Sequence, residues 1–305
     1  MQNIQLSILH KLPQSKYKNL KRYIKNNKVE EKENIDESNL HCKETLQKLH
    51  IIQPNDPDLT TFWKETFKQR QKDISIENYY EEYPILKTSI GAILIDFEIK
   101  TGIDAHIFPK KWSEIAPFIL DFAVNKDLCP SLCDLRNDMI SVETLSFLIL
   151  PYIFQPCNVK TGNKRKWKPS KVEVAESFIC RIPLTELEPK SQKRKEKLQA
   201  FGLTLQSMIV AIGTILNLTD FYIIINNVKY VSTTLMRAVN LCFQAFFALD
   251  AKYPVDSEIM WYFLHQVYGI TDEEHIRNFI SVNVVWQYIQ ELMSALQSAL
   301  EEQLK

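Results

Sequence analysis

The sequence predicts an α+β fold, predominantly α-helical, in which a helical body is followed by a small antiparallel sheet of about three strands covered by apolar helices. Three observations carry that expectation. Up to Gly202, apolar residues recur at helical spacing behind Ser, Asp and Pro start signals. After Gly202 come short β-branched and aromatic runs, two of them joined by Asn226-Asn227. From Thr233 onward the chain is again helical and strongly apolar.

Taken in order, residues 1–53 read as a charged, loosely ordered segment. Six basic residues and no acid lie between Lys16 and Lys28, then VEEKENIDE reverses the sign. Such blocks are solvated helix or disorder, with a helix plausible around Leu40 to Leu49. Residues 56–202 read as a helical domain. Asp56 with Pro57 opens a helix whose Leu59, Phe62, Trp63, Thr66 and Phe67 share one face. Ser75 caps a short helix ending before Pro84, and ILKTSIGAILIDFEI reads as buried helix, although its β-branched residues also suit a strand. Ser113 is expected to open WSEIAPFILDFAV, with Pro117 in its first turns, and Ser141 to open VETLSFLIL, which Pro151 and Pro156 terminate. Ser170-x-x-Glu173 forms a capping box before VAESFICRI, and Pro189 starts a highly charged helix that Gly202 ends.

Residues 203–280 read as an α+β unit. Strands are expected over 207–213, 220–225 and 228–232, the last two joined by a two-residue turn at Asn226-Asn227. Thr233 caps TLMRAVNLCFQAFFAL, Pro254 and Asp256 introduce SEIMWYFLHQVY, Gly269 stops it, and Thr271-x-x-Glu274 forms another capping box. The aromatic residues of these two helices are expected to form a core over the strands rather than a binding groove. Residues 281–305 read as an amphipathic helix. Its Val285, Ile289, Leu292 and Leu296 are spaced close to a heptad seam, which makes them candidates for self-association as a homodimer; packing on the same chain is the preferred use.

Composition excludes several function classes. The chain has 305 residues, 45% of them hydrophobic, with 37 Lys plus Arg against 37 Asp plus Glu. The 6 glycines stand too far apart for a phosphate-cradling loop, which argues against dinucleotide, P-loop and kinase folds. The 6 cysteines are sparse and several sit among apolar residues, as reduced thiols in an intracellular protein do. The amino-terminal sequence lacks the pattern of a secretory signal, and the apolar run from Leu145 to Phe154 is about half a membrane span. No membrane association is expected.

The strongest anomaly is charge. Residues 160–197 carry 12 cations and 5 glutamates, a net +7 that leaves −7 on the rest of a chain whose total is zero. Within this window Lys164, Arg165, Lys166, Trp167 and Lys168 in the basic loop 160–171, with Lys193, Arg194 and Lys195, are the candidates for nucleic-acid contact: the cations for phosphates and Trp167 for a base. A nuclear import signal or a solvated loop would use the same clustered cations. Cys129 and Cys133 suggest zinc, but Cys157 and His106 supply no second close pair, and His41, Cys42 and His50 do no better. His265 lies within WYFLHQVY and reads as a packed core histidine. Asp96 and Asp220 are the only carboxylates singled out for a metal-dependent nuclease, and no further ligands are evident for them. No catalytic residue, metal or cofactor is assigned.

The run LQSMIVAIGT and the stretch FYIIINNVKYVSTTLMRAVNLCFQAFFALDAKYPVDSEIMWYFLHQVYGI resemble the end of the sterile-alpha-motif-domain-containing-protein-3-like group, animal proteins found in or near transposable elements. The matching residues are Gln206, Arg237 to Asn240, Cys242-Phe243, Tyr253-Pro254 and Trp261 to Leu264, with WKETFKQRQ, YPILK and LILPYIF upstream in the same order. The resemblance spans residues 56–275. Ser207 stands where the group has Pro, Asn240 where it has Asp, and neither a sterile alpha motif nor a zinc finger is seen at the amino-terminal end. The resemblance implies an origin and an architecture and brings no activity. The expectation is a non-enzymatic, intracellular and nuclear interaction protein of transposon-associated descent, with an unidentified protein partner and nucleic acid as its contacts. The alternative is a metal-dependent nuclease or transposase relic.

Overall fold

The computed structural model describes residues 40–72, 75–137, 140–162, 166–270 and 279–303 of a chain that divides into two compact units, Met1–Gln69 and Arg70–Lys305. In the first unit, α1 spans 40–49 and α2 spans Leu59–Glu65, with Thr45, Leu49 and Trp63 buried. Asp56 does not cap α2. Its side chain accepts from the Asp58 amide at 2.9 Å, a local turn that delays the helix to Leu59.

The second unit is predominantly helical with a small sheet. α3 (Ile76–Glu82) starts at Ser75, whose hydroxyl accepts from the Asn78 amide, and the run ILKTSIGAILIDFEI divides into the end of a short 3-10 turn over Pro84–Lys87 and, from Gly91, the helix α4 (Gly91–Thr101). α5 (Phe108–Asn125) begins a turn earlier than Ser113, because Pro109 provides the starting conformation. Ser113 is therefore internal and donates to Glu143, and Pro117 lies inside the helix rather than at its start. α6 (Val142–Ile153) is capped by Ser141 as expected but continues through Pro151, which occupies its last turn.

A two-stranded hairpin, β1 (Val159–Lys160) with β2 (Lys166–Trp167), precedes α7 (Lys171–Phe178), and both halves of the Ser170–Glu173 capping box are formed. The run VAESFICRI is not one helix. It splits after Phe178 into β3 (Ile179–Ile182), which pairs in parallel with β4 (Met208–Thr214) across the charged helix α8 (Leu187–Ala200). β5 (Asn217–Ile225) and β6 (Val228–Ser232) continue antiparallel in the order β3-β4-β5-β6. The sheet thus has four strands rather than three and draws one from the segment expected to be all helical. Ile179, Cys180 and Ile182 are buried in the paired strand while Arg181 is exposed, an environment that suits the β-branched residues. The Asn226-Asn227 turn has both φ values positive, as a two-residue hairpin requires. At Gly213 the register shifts, and a Cβ there would lie 2.1 Å from the Asn217 carbonyl oxygen, so only glycine fits this bulge.

Helix α9 (Leu235–Ala248) packs against β4, β5 and β6; its cap is Thr234, one residue beyond the expected Thr233. α10 (Glu258–Tyr268) and α11 (Ile280–Gln303) complete the unit. The Thr271–Glu274 box lies outside the described residues. A chain of rings joins four helices: Phe147 of α6 on Trp112 of α5 at 4.0 Å, Phe108 of α5 on Tyr268 of α10 at 5.1 Å, and Tyr268 on Phe243 of α9 at 4.4 Å. Of the aromatic residues of α9 and α10, Phe243, Phe246, Trp261, Phe263 and Tyr268 are core, and Phe247 and Tyr262 are half-buried. Among the described residues no helix is long and apolar enough to cross a membrane.

Candidate functional site

The two basic stretches of the sequence meet in space. Trp167 at the end of β2 stacks on Phe201, just beyond α8, with ring centroids 4.9 Å apart and planes at 8°. Val159, Trp167 and Leu198 form a buried cluster with Phe201, Leu203, Leu205 and Val255 against it. Gly162 brings the hairpin close: its amide donates to the Phe201 carbonyl at 3.0 Å, and a Cβ would stand 2.7 Å from the Gly202 oxygen. Hydrophobic seating of β1 and β2 on the end of α8 thus places the described residues Lys166 and Trp167 beside the basic helix.

Between α7, α8 and the β3–β4 edge runs a groove of about 570 Å³. Trp167, Cys180, Leu198 and Met208 supply its apolar lining, Lys190, Lys193, Arg194 and Lys197 its cations, and Glu173, Glu176 and Glu186 its acids. Most of the cations are engaged. Lys190 pairs with Glu176 at 2.7 Å, Lys197 pairs with Glu173, and Arg194 donates to both oxygens of Asp256 at 2.9 and 3.0 Å. Arg194 and the buried Ser177, Asp256 and Ser257 form one hydrogen-bonded cluster, to which Trp261 Nε1 also donates. Asp256, expected only as a helix start signal, is the buried counter-charge of α8.

The eight sequence candidates therefore separate. Lys166, Lys168, Lys193 and Lys195 are exposed and make no ion pair among the described residues. Arg194 is held by Asp256. Trp167 is buried on Phe201 with Lys197 Nζ 5.1 Å from its ring centre, so the face expected to meet a base is a packing surface. Lys164 and Arg165 lie outside the described residues. The sequence window carries +7, yet its groove is nearly balanced; among the described residues Lys160, Lys171 and Arg181 share with Lys166, Lys168, Lys193 and Lys195 the positive charge that no ion pair takes up.

The other candidates have structural surroundings. Asp96 is fully buried and accepts two hydrogen bonds from Arg70, at 2.8 and 2.9 Å, and one from Tyr79 at 2.7 Å. Burial lowers the Arg70 pKa from its ordinary value, against the opposing pull of Asp96. Asp220 is exposed and accepts from Thr219. Among the described residues no group of three or more His, Cys, Asp or Glu side chains is placed to hold a metal ion. All six cysteines are free thiols, and burial raises the pKa of Cys133, Cys180 and Cys242. His265 is buried, with Nε2 2.6 Å from the Tyr253 hydroxyl.

In α11 the proposed seam divides. Val285 and Ile289 are buried within their own chain, where α11 packs on α5 and α10, Leu292 is half-buried, and Leu296 and Leu300 are exposed. The Arg70–Asp96 pair and the Arg194–Asp256–Ser177 cluster were not found from sequence. The available signal was an acid inside an apolar helix, LIDFE, which needs a partner but does not name one. Comparison of the chain with family models, with curated proteins and with solved structures gave no match.

Proposed function

We propose that the protein is a non-enzymatic interaction module of transposon-associated descent that contacts nucleic-acid phosphates in the nucleus through the surface of the β1–β2 hairpin and α8. The observation supporting this reading is the seating of two sequence-distant basic stretches side by side, with Lys166, Lys168, Lys193 and Lys195 exposed and free of ion pairs among the described residues. Because Trp167 is a packing residue, recognition rests on backbone charge and carries no base preference. The exposed distal half of α11, with Leu296 and Leu300, is the surface for a protein partner. Asp96, enclosed by Arg70 and Tyr79, offers no open ligand position for the alternative nuclease reading.

The test is fluorescence anisotropy with a labelled duplex and a single strand over a range of NaCl. Binding is expected to weaken with salt with a log–log slope of about −3 to −4 for four phosphate contacts on a duplex, without regard to sequence. Replacing Lys166, Lys168, Lys193 and Lys195 by Ala is expected to abolish it. Unchanged affinity in that variant would remove the reading, and loss of nuclear import without any loss of affinity would mark the segment as an import signal instead.

A further inference from the structure

Between a buried leucine at each end, helix α8 is held in place by charge. Of its 14 residues, LEPKSQKRKEKLQA, only Leu187 and Leu198 are buried, and no apolar stripe runs along it. One face instead presents Lys190, Arg194 and Lys197 at i, i+4 and i+7. These meet Glu176, the Ser177–Asp256 pair and Glu173, so α8 is fastened at three points. The middle fastening is buried, with the Asp256 side chain 1% exposed. The outer two are not: Lys190 and Glu176 are 31% and 40% exposed, Lys197 and Glu173 43% and 32%. Exposed pairs are screened by salt and displaced by competing anions, whereas a buried hydrogen-bonded pair is not readily exchanged. Under α8 lie the thiol of Cys180 and the side chain of Met208, both nearly inaccessible.

We propose that α8 is an electrostatic latch over the 570 Å³ groove. Anions that compete with Glu173 and Glu176 for Lys197 and Lys190 undo its two exposed fastenings and loosen the helix between its buried Leu187 and Leu198, and the apolar groove lining becomes accessible. The latch stands on the ion pairs; that a bound polyanion operates it rests on the phosphate-binding reading above. Glu173 is well suited to the test, because it accepts from the Ser170 amide with one oxygen while Lys197 takes the other. Gln at this position preserves the capping box and removes the charge.

Hydrogen exchange of the whole chain at about 50 mM and about 1 M NaCl reads the latch. Exchange of α8 amides is expected to rise about tenfold at high salt, the effect of losing two exposed ion pairs, while α9 is unchanged. The E173Q/E176Q variant is expected to show the fast rate already at low salt and little further response. Thiol labelling with Cys42, Cys129, Cys133 and Cys157 replaced by Ser gives a second readout: Cys180 should react faster at high salt, Cys242 should not. Salt-independent exchange of α8, or equal labelling of both thiols, would overturn the latch. Heparin at low salt tests the coupling. Heparin that binds without speeding α8 exchange overturns it. A protein that ignores heparin but still opens in salt loses the phosphate reading and keeps the latch.

Discussion

Asp96 is the residue whose surroundings differ most from a reading of its neighbours. Inside LIDFE it looked available to a metal, yet its oxygens are taken by Arg70 and Tyr79 in a fully buried cluster. Removing one partner of a buried pair leaves the other charge without compensation. Asp96→Ala is therefore expected to cost about 3–5 kcal/mol, measured as a lower urea midpoint, and Asp96→Ala with Arg70→Met to recover part of it. A second buried polar contact predicts a pH dependence. The Tyr80 and Tyr230 hydroxyls are 2.8 Å apart and Tyr230 donates to the Leu86 carbonyl. Burial pushes Tyr230 up to about 12 and Tyr80 further in the same direction. Since the folded state holds these protons more tightly than the unfolded chain, their contribution is intact below about pH 10 and is lost as pH rises through 12. Denaturant midpoints should fall over that window, and Tyr230→Phe should flatten the fall.

At the scale of elements, start and stop chemistry was legible wherever it is local. Ser75, Ser141 and the Ser170–Glu173 box all cap the helices expected of them, and Asn226-Asn227 turns the hairpin. The misplaced boundaries were each decided by a nearby residue: Pro109 starts its helix ahead of Ser113, and the Thr234 hydroxyl accepts from the Arg237 amide in place of Thr233. Strand β3 was illegible because ICRI continues a helical period, and only pairing with Ile209 to Ile212 makes it a strand. In α11, burial follows half of the heptad pattern. Ile289→Ala should cost about 2–5 kcal/mol as a core truncation. Leu296→Arg, at an exposed position, should change thermal stability by no more than about 0.5 kcal/mol. An unchanged sedimentation coefficient in the Leu296→Arg chain would place no copy-to-copy contact there.

Across the whole molecule, equal numbers of cations and acids conceal a separation of charge. A chain of zero net charge with a net +7 in residues 160–197 and a net −7 elsewhere should bind both cation and anion exchangers at low salt near pH 7. Replacing Lys166, Lys168, Lys193 and Lys195 should weaken retention on the cation exchanger and strengthen it on the anion exchanger; equal retention of both proteins would show that the separation has no reach in solution. The helical α+β class followed from composition and periodicity, and the basic window was visible as a charge imbalance. How that charge is distributed was not, because three of its cations are neutralised by Glu173, Glu176 and Asp256.

By itself the amino-acid sequence determined where most helices begin, which dipeptide turns the hairpin, and that positive charge is concentrated in one window, since these depend on residues within a turn or two of one another. Tertiary structure decided which of those charges are free, which way Trp167 faces, and that Arg194 answers to Asp256, 62 residues away. Burial and ion pairing depend on which distant elements pack together, and no local spacing encodes that.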